Sequence, residues 1–306
     1  MSDFHKPVLL NECIEGLNIS PEGTYVDATF GGGGHAREII NKISVGKLIG
    51  FDQDKDTAIN KISNDNRFIM IHKNFRHLKK ELENLNILAI DGLIADLGVS
   101  SYHFTNNNRG FSLKYDSHLD MRMDSDLEKD AAYILNNYNA KNLSRIFREH
   151  ADFYSPNIIV NTILNFRETQ HIKTTFQFKK LFNSSFFGKN ENKFFARLFQ
   201  ALRIEVNDEL NALKELLNQS LEMLSPSGRL VVISYHSIED KIVKNFMKFG
   251  NFSNSPEKDF FGNPSFPFQV ITKKPIIPSD FEIKLNNKAR SAKLRICQKN
   301  KNYENE

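Results

Sequence analysis

The chain has 306 residues, 40% hydrophobic and 25% charged, a globular composition with enough apolar mass for a sizeable core and unlike a disordered tail. No apolar run reaches the roughly 18 residues of a membrane span, and no basic start leads into a hydrophobic stretch, so a cytoplasmic protein with neither span nor secretory signal is expected. Cys13 and Cys297 stand far apart without ligand spacing, which argues against a disulfide framework and a thiolate metal site, and a formal net charge of +4 is too small to establish a nucleic-acid partner.

In chain order, the first hundred residues alternate short apolar runs with helical patterns, the rhythm of βαβ units and a parallel sheet. Strands are expected over Thr24–Thr29, Lys47–Asp52, Phe68–His72 and Gly92–Leu97, with helices over His35–Ile43 and Asp54–Ile62. From about Asn106 the strand rhythm stops. Helical stretches follow over Asp130–Leu135, Ala140–Ala151, Asn157–Glu168 and Thr175–Phe182, with polar, Asn-rich joints. An amphipathic helix is then expected over Val206–Leu224, closed by Pro226 and Gly228, and a strand over Arg229–Tyr235. Phe268–Thr272 and Lys293–Cys297 read as a pair at one sheet edge, and Asn251–Lys274 as a long loop. The economical fold is a wound α/β domain formed by residues 1–105 and 205–306, interrupted by an all-helical insert over 106–204.

The strongest local signal is Thr24-Tyr-Val-Asp-Ala-Thr-Phe-Gly31-Gly32-Gly33-Gly34-His35, a strand running into four glycines and then a helix. Glycines let a ligand approach the backbone closely, and the helix start offers unpaired amides. Gly31, Gly33 and Ala36 also satisfy the dinucleotide pattern, so this loop alone leaves NAD and S-adenosylmethionine both open. Asp52, ending the second strand, suits the two ribose hydroxyls of an adenosine; Asp54 fits a helix cap better. Phe75 suits an adenine face or, as readily, the core. Asp96, at the end of the fourth strand beside the small Gly98, stands where open α/β sheets gather reacting groups, with Ser100 and His103 just beyond. Tyr235 and His236, at the end of the strand after the insert, suit a base taken out of its stack; Tyr235 reads equally as a core aromatic, and Ser234, Ser237, Glu239 and Asp240 fit a helix start. Two charged regions have both an RNA-contacting and a structural reading. Arg109 with Leu119-Asp-Met-Arg122-Met-Asp124 is either a phosphate contact or an ion-paired loop. Lys284 to Lys301, with seven Lys/Arg and no acid, is either a phosphate-binding run or a solvated face.

Eight blocks in order resemble the bacterial small-subunit ribosomal RNA methyltransferases that modify a cytosine exocyclic amine, the RsmH/MraW family. They are His5-Lys-Pro-Val-Leu-Leu-Asn-Glu12, Asp27-Ala-Thr-Phe-Gly-Gly-Gly-Gly-His35, Asp96-Leu-Gly-Val-Ser-Ser101, Arg109-Gly-Phe-Ser112, Leu119-Asp-Met-Arg-Met-Asp124, Phe199 to Leu210, Ile233-Ser-Tyr-His-Ser-Ile-Glu-Asp240 and Ala289-Arg-Ser-Ala-Lys-Leu-Arg295. The resemblance implies a Rossmann-like methyltransferase sheet and S-adenosylmethionine held by Gly33, Gly34, His35, Asp52, Phe75, Asp96 and His103; the helical insert, which carries Arg145, Arg148, Lys173, Lys179, Lys180, Lys189, Lys193, Arg197 and Arg203, reads as an RNA clamp beside such a site. It implies transfer to cytosine N4 near the decoding region of small-subunit ribosomal RNA, within an assembled particle. Asp96, Tyr235 and His236 are the candidates for catalysis, no metal or membrane is expected, and a homodimer is left open. Two positions depart from the family pattern: Gly32, where a basic residue is common, and Tyr235, where Phe is usual. The rivals are a NAD-linked oxidoreductase, for which no hydride-relay residue is evident, and a non-catalytic RNA-binding module, against which the intact Gly33, Asp52 and Asp96 argue.

Overall fold

A computed structural model of the chain describes residues 7–99, 109–258, 261–301 and 303, without the side chains of Ala58, Ile59 and Lys288. Its contacts divide into two units, Met1–Gly98 with Leu210–Glu306 and Val99–Glu209. The expected boundaries, 105/106 and 204/205, lie seven and five residues from these.

In the first unit the strands β1 (Thr24–Asp27), β2 (Lys47–Phe51), β3 (Phe68–Ile71), β4 (Ile90–Asp96) and β5 (Leu224–Ser234) are followed by the short β6 (Glu257–Lys258) and β7 (Pro264–Ser265), then β8 (Phe268–Val270) and β9 (Lys293–Lys299). Seven of them form one sheet in the order β3-β2-β1-β4-β5-β9-β8. The first five are mutually parallel; β9 runs antiparallel to β5, and β8 antiparallel to β9. The expected edge pair is therefore present. Within the expected long loop, β6 and β7 form a separate two-residue ladder.

Successive residues of the central strands enter opposite cores, as the twofold period of a strand demands. Val26, Ile49, Leu93 and Val232 pack with the helices Leu78–Asn84, Glu209–Met223 and Ser237–Phe249. Their neighbours Tyr25, Leu48, Ile94 and Val231 pack with Leu10–Leu17 and Gly34–Lys42. Both faces are covered, which is why these strands read as nearly continuous apolar runs.

The differences from expectation have local causes. Asp54–Ile62 is a 3-10 segment, Lys55–Asn60, and not an α-helix. Asp208, in the left-handed region at φ 49°, divides the expected Val206–Leu224 helix into the ends of Glu191–Asn207 and Glu209–Met223. β5 begins at Leu224, through Pro226 and Gly228, with the β4 register shifting between Ile90 and Gly92. The helix Leu10–Leu17 is unexpected because it starts from Leu9 in the left-handed region with no side-chain cap, and so lacks a start signal.

The second unit is helical: Ala131–Asn137, Ala140–Glu149, Asn157–Arg167, Thr175–Lys180, Ser184–Phe187 and Glu191–Asn207. Asp130, Asn139, Thr174 and Asn183 each accept an amide of the helix they open. Phe147, Phe178, Phe182, Phe194, Phe195 and Phe199 dominate its core. Among the described residues no helix is long and apolar enough to cross a membrane.

Candidate active site

Chain order reverses between β1 and β4: from β1 the strands proceed outward through β2 and β3, and from β4 outward through β5. Such a switch point opens a crevice at the carboxyl ends of the strands. In sheet order those ends carry Phe75 after β3, Asp52 after β2, Asp27 and the glycine loop after β1, Asp96 on β4, and Tyr235 with His236 after β5.

The loop is braced throughout. Gly31 and Gly33 have φ of 50° and 72°, a region costly for residues with a Cβ. The Gly31 amide donates to Asp52 Oδ2 at 2.8 Å, and Asn60 Nδ2 donates to the Gly31 carbonyl at 3.0 Å. Arg37 spans the gap, donating to the carbonyls of Gly32 at 2.6 Å and Asn60 at 3.0 Å. A Cβ at Gly34 would come within 2.1 Å of Pro7 Cγ, whereas one at Gly32 would meet nothing within 4 Å. Gly32 therefore faces open space, and Gly33 caps the helix Gly34–Lys42, whose opening amides have no intrahelical partner.

Asp52 accepts the Asp54 amide on Oδ1 at 2.9 Å besides the Gly31 amide on Oδ2. Asp54 takes the capping role expected of it, accepting the Asp56 amide at 3.0 Å. Asn74 Nδ2 donates to Gln53 Oε1 at 2.6 Å, which joins the turn holding Phe75 to the one after Asp52. The Phe75 ring is half-buried against the core of that face. Its two readings, core and ligand wall, are thus compatible.

His35 differs from the cofactor contact expected of it. It is buried, 6% exposed, and its Nε2 donates to the Val8 carbonyl at 3.1 Å. Burial lowers its pKa to about 4, so the ring is neutral. The next amide, Leu9 N–H, donates to Glu282 Oε1 at 2.8 Å. His103 and Ser100 lie outside the described residues.

On β4, the Asp96 amide donates to Thr29 Oγ1 at 2.6 Å, and Asp96 Oδ1 accepts the Tyr235 hydroxyl at 2.8 Å. Burial raises the Asp96 carboxyl to about 7, the Tyr235 hydrogen bond opposing it and Glu239 adding to it. Gly98, at φ 97°, would hold a Cβ 3.6 Å from the Tyr235 ring, so nothing larger than hydrogen narrows that approach. His236 caps the helix Ser237–Phe249: its Nδ1 accepts the Glu239 amide at 3.3 Å, while Glu239 Oε2 accepts the Tyr235 amide at 3.0 Å. The imidazole and the buried Glu239 carboxylate, 3.1 Å apart, thus hold the turn that presents Tyr235.

Sequence reading missed Asp27, although it stands in the glycine block. It is 2% exposed, and burial, with Asp96 and Asp52 adding to it against the Thr29 amide bond, lifts its carboxyl to about 7. Three carboxylates at adjoining strand ends favour a cationic group among them. A raised folded-state pKa contributes stability below about pH 4 that is lost as pH rises through 7. Asp27→Asn removes the buried charge and keeps an acceptor for Thr29. It should be more stable than the parent by about 1–3 kcal/mol at pH 8, the advantage shrinking toward pH 5; urea titrations at both pH values check this, and equal midpoints at pH 8 would contradict it.

The basic regions are only partly committed internally. Arg122 holds Asp120 at 2.6 Å and the carbonyls of Ser125 and Leu127, and Arg109 the carbonyls of Arg122 and Met123, so this is the ion-paired loop. In the Lys284–Lys301 run, Arg295 is 8% and Lys299 6% exposed; Arg295 and Lys293 both pair with Asp240, and Lys299 donates to the carbonyls of Leu221 and Leu224. In the helical unit Arg145 pairs with Glu205, Arg203 with Glu209, and Arg197 lies over the Phe153 ring. Lys179 donates to the Leu113 carbonyl. Arg148, Lys173, Lys180, Lys189 and Lys193 are exposed.

Residues 2–300 match the MraW methylase family. The chain belongs to that family. Among curated relatives, it is 47% identical to a ribosomal RNA small subunit methyltransferase H of Flavobacterium johnsoniae, over 97% of this chain and 98% of the relative. It is 48% identical to that of Parabacteroides distasonis, with the same coverage of each, and 49% identical to that of Flavobacterium psychrophilum, over 95% and 100%. A methylase assignment removes the oxidoreductase rival that the glycine pattern left open.

Proposed function

We propose that the protein transfers a methyl group from S-adenosyl-L-methionine to the N4 amine of a cytidine in small-subunit ribosomal RNA, near the decoding region. The observation that carries this reading is the Asp96–Tyr235 pair, 2.8 Å from hydroxyl to carboxylate, at the ends of neighbouring strands beside the glycine loop. The relatives' names support the small subunit as substrate.

The residues fit a donor of this kind. The open side of Gly32, the helix-opening amides after Gly33 and the acids Asp27, Asp52 and Asp96 suit an adenosine bearing a cationic sulfonium. When bound, S-adenosylmethionine supplies an electrophilic methyl group. Phe75 would cover the adenine, Asp52 would accept hydrogen bonds from the ribose hydroxyls, Gly33 and Gly34 would border the donor from the loop, and His35 positions that loop by holding Val8. His103 is proposed for the same site from the family resemblance alone.

Cytosine N4 is conjugated with its ring and a weak nucleophile, so the protein must hold it in line and accept its protons as it pyramidalises. Tyr235 engages Asp96 Oδ1, and among the described residues Oδ2 accepts no hydrogen bond. Oδ2 takes an amine N–H. A carboxyl near 7 is matched to removing the proton that the new N–C bond releases. The Tyr235 ring packs beside the extruded base, and His236 orients that tyrosine through Glu239. The exposed cations of the helical unit contact RNA phosphates. Mapping methylated bases on small subunits from cells with and without the protein tests the reading. Loss of a single N4-methyl mark is expected; an unchanged pattern overturns it.

A further inference from the structure

A pocket of about 320 Å³ opens against Tyr235, with Ser237, Ile277, Ile283, Arg290 and Ser291 in its wall. That volume is in the range of small-molecule sites. Because Tyr235 also bonds Asp96, the pocket adjoins the candidate reacting group.

Its outer wall is pre-formed. Ile276 and Leu294 exchange backbone hydrogen bonds at 3.0 and 2.9 Å. The 3-10 turn Asn287–Ser291 is pinned by the buried Ala289 and Ala292, the Ala292 amide donating to the Ala289 carbonyl at 2.9 Å. Arg290 and Ser291, between these anchors, are exposed. The charges nearby differ in kind. Arg295 and Lys293 share the single charge of Asp240, whereas Arg290 has no acid or hydrogen-bond partner among the described residues. An unpaired guanidinium at the mouth of a pocket with an aromatic wall, two hydroxyls and two isoleucines matches a nucleotide: an apolar, aromatic side for base and sugar, a planar cation for phosphate.

We propose that this pocket receives the target nucleotide and that Arg290 binds a phosphate flanking it, as a positioning residue for the transfer. The substrate class rests on the functional reading above; the pocket and its cation are independent of it. Arg290→Ala and Arg290→Lys are compared with the parent on small subunits lacking the mark. The alanine variant should raise the KM for subunits about tenfold with a much smaller fall in kcat, leave donor affinity unchanged, and flatten the log–log salt dependence by about one phosphate contact. The lysine variant should lie between. In a separate competition assay, cytidine 3′- and 5′-monophosphates should bind the parent better than cytidine does, the better of the two identifying which phosphate Arg290 holds, and the alanine variant should lose that preference. Unchanged KM, salt slope and nucleotide preference in Arg290→Ala would overturn the proposal while leaving methylation intact. Absence of methyl transfer by the parent would overturn the functional reading instead, and the monophosphate preference would still decide the pocket.

Discussion

Asp96→Asn is expected to slow methyl transfer, at saturating donor and RNA, by roughly 10²-fold or more. The amide keeps the shape of the carboxylate but is a weaker acceptor, cannot take the departing proton, and can turn an N–H toward the substrate amine. Donor affinity should fall less than turnover, because the hydrogen bond strengthens as the amine acquires positive charge. The pH dependence gives a second signature. With its carboxyl raised to about 7, Asp96 is the active, charged base only above its pKa, so the parent rate should climb with pH and level off. A bound cationic donor favours the carboxylate and moves that inflection below 7. Tyr235→Phe removes a donor that favours the charged form and should move it upward, whereas Asp96→Asn should abolish it. Single-turnover transfer on subunits lacking the mark, measured across pH, separates these outcomes. A parent-like rate and profile in Asp96→Asn would reduce Asp96 to a structural group and direct attention to His103 and His236.

Asp52→Ala should weaken S-adenosylmethionine binding by about 100-fold or more. Loss of the ribose hydrogen bonds alone, at about 1.5–3 kcal/mol each to a charged acceptor, predicts at least tenfold. The same carboxylate accepts the amides of Gly31 and Asp54, so its removal also releases the loop from a conformation in which Gly31 and Gly33 hold positive φ. Asp52→Asn keeps one acceptor oxygen and should lose less. Calorimetric titration with the donor measures both, and undiminished affinity in Asp52→Ala would remove this residue from the site.

The sheet was legible because its interior strands are apolar on both faces, and β1 to β4 lie within a residue or two of their expected limits. Elements fixed by tertiary contact were not. Leu10–Leu17 carries no cap, and the break at Asp208 interrupts an apolar period that continues unbroken in the sequence. At the site, strand ends and glycines pointed to Asp52, Asp96 and Tyr235, which the structure places at the carboxyl ends of β2, β4 and β5. Which side chains face inward is a different matter. Arg295 and Lys299 occupy a run that composition reads as one basic surface, yet the pleat of β9 turns both into the protein, onto Asp240 and onto the carbonyls of Leu221 and Leu224. His35, beside the glycines, likewise faces the interior. Asp27 was overlooked because a buried acid at a strand end looks, in sequence, like any loop aspartate; its neighbours Asp52 and Asp96 lie far along the chain.

Two adjacent residues, Val8 and Leu9, are gripped from opposite sides: His35 holds the carbonyl of one, Glu282 the amide of the other. His35 opens the helix after the glycine loop, and Glu282 sits in the short helix Asp280–Leu285, next to Ile283 in the pocket wall. The clasp puts the two binding regions mechanically in series through a single peptide unit. Should the donor and a nucleotide occupy these two regions, any coupling carried by this unit is reciprocal, each changing the other's affinity by the same factor.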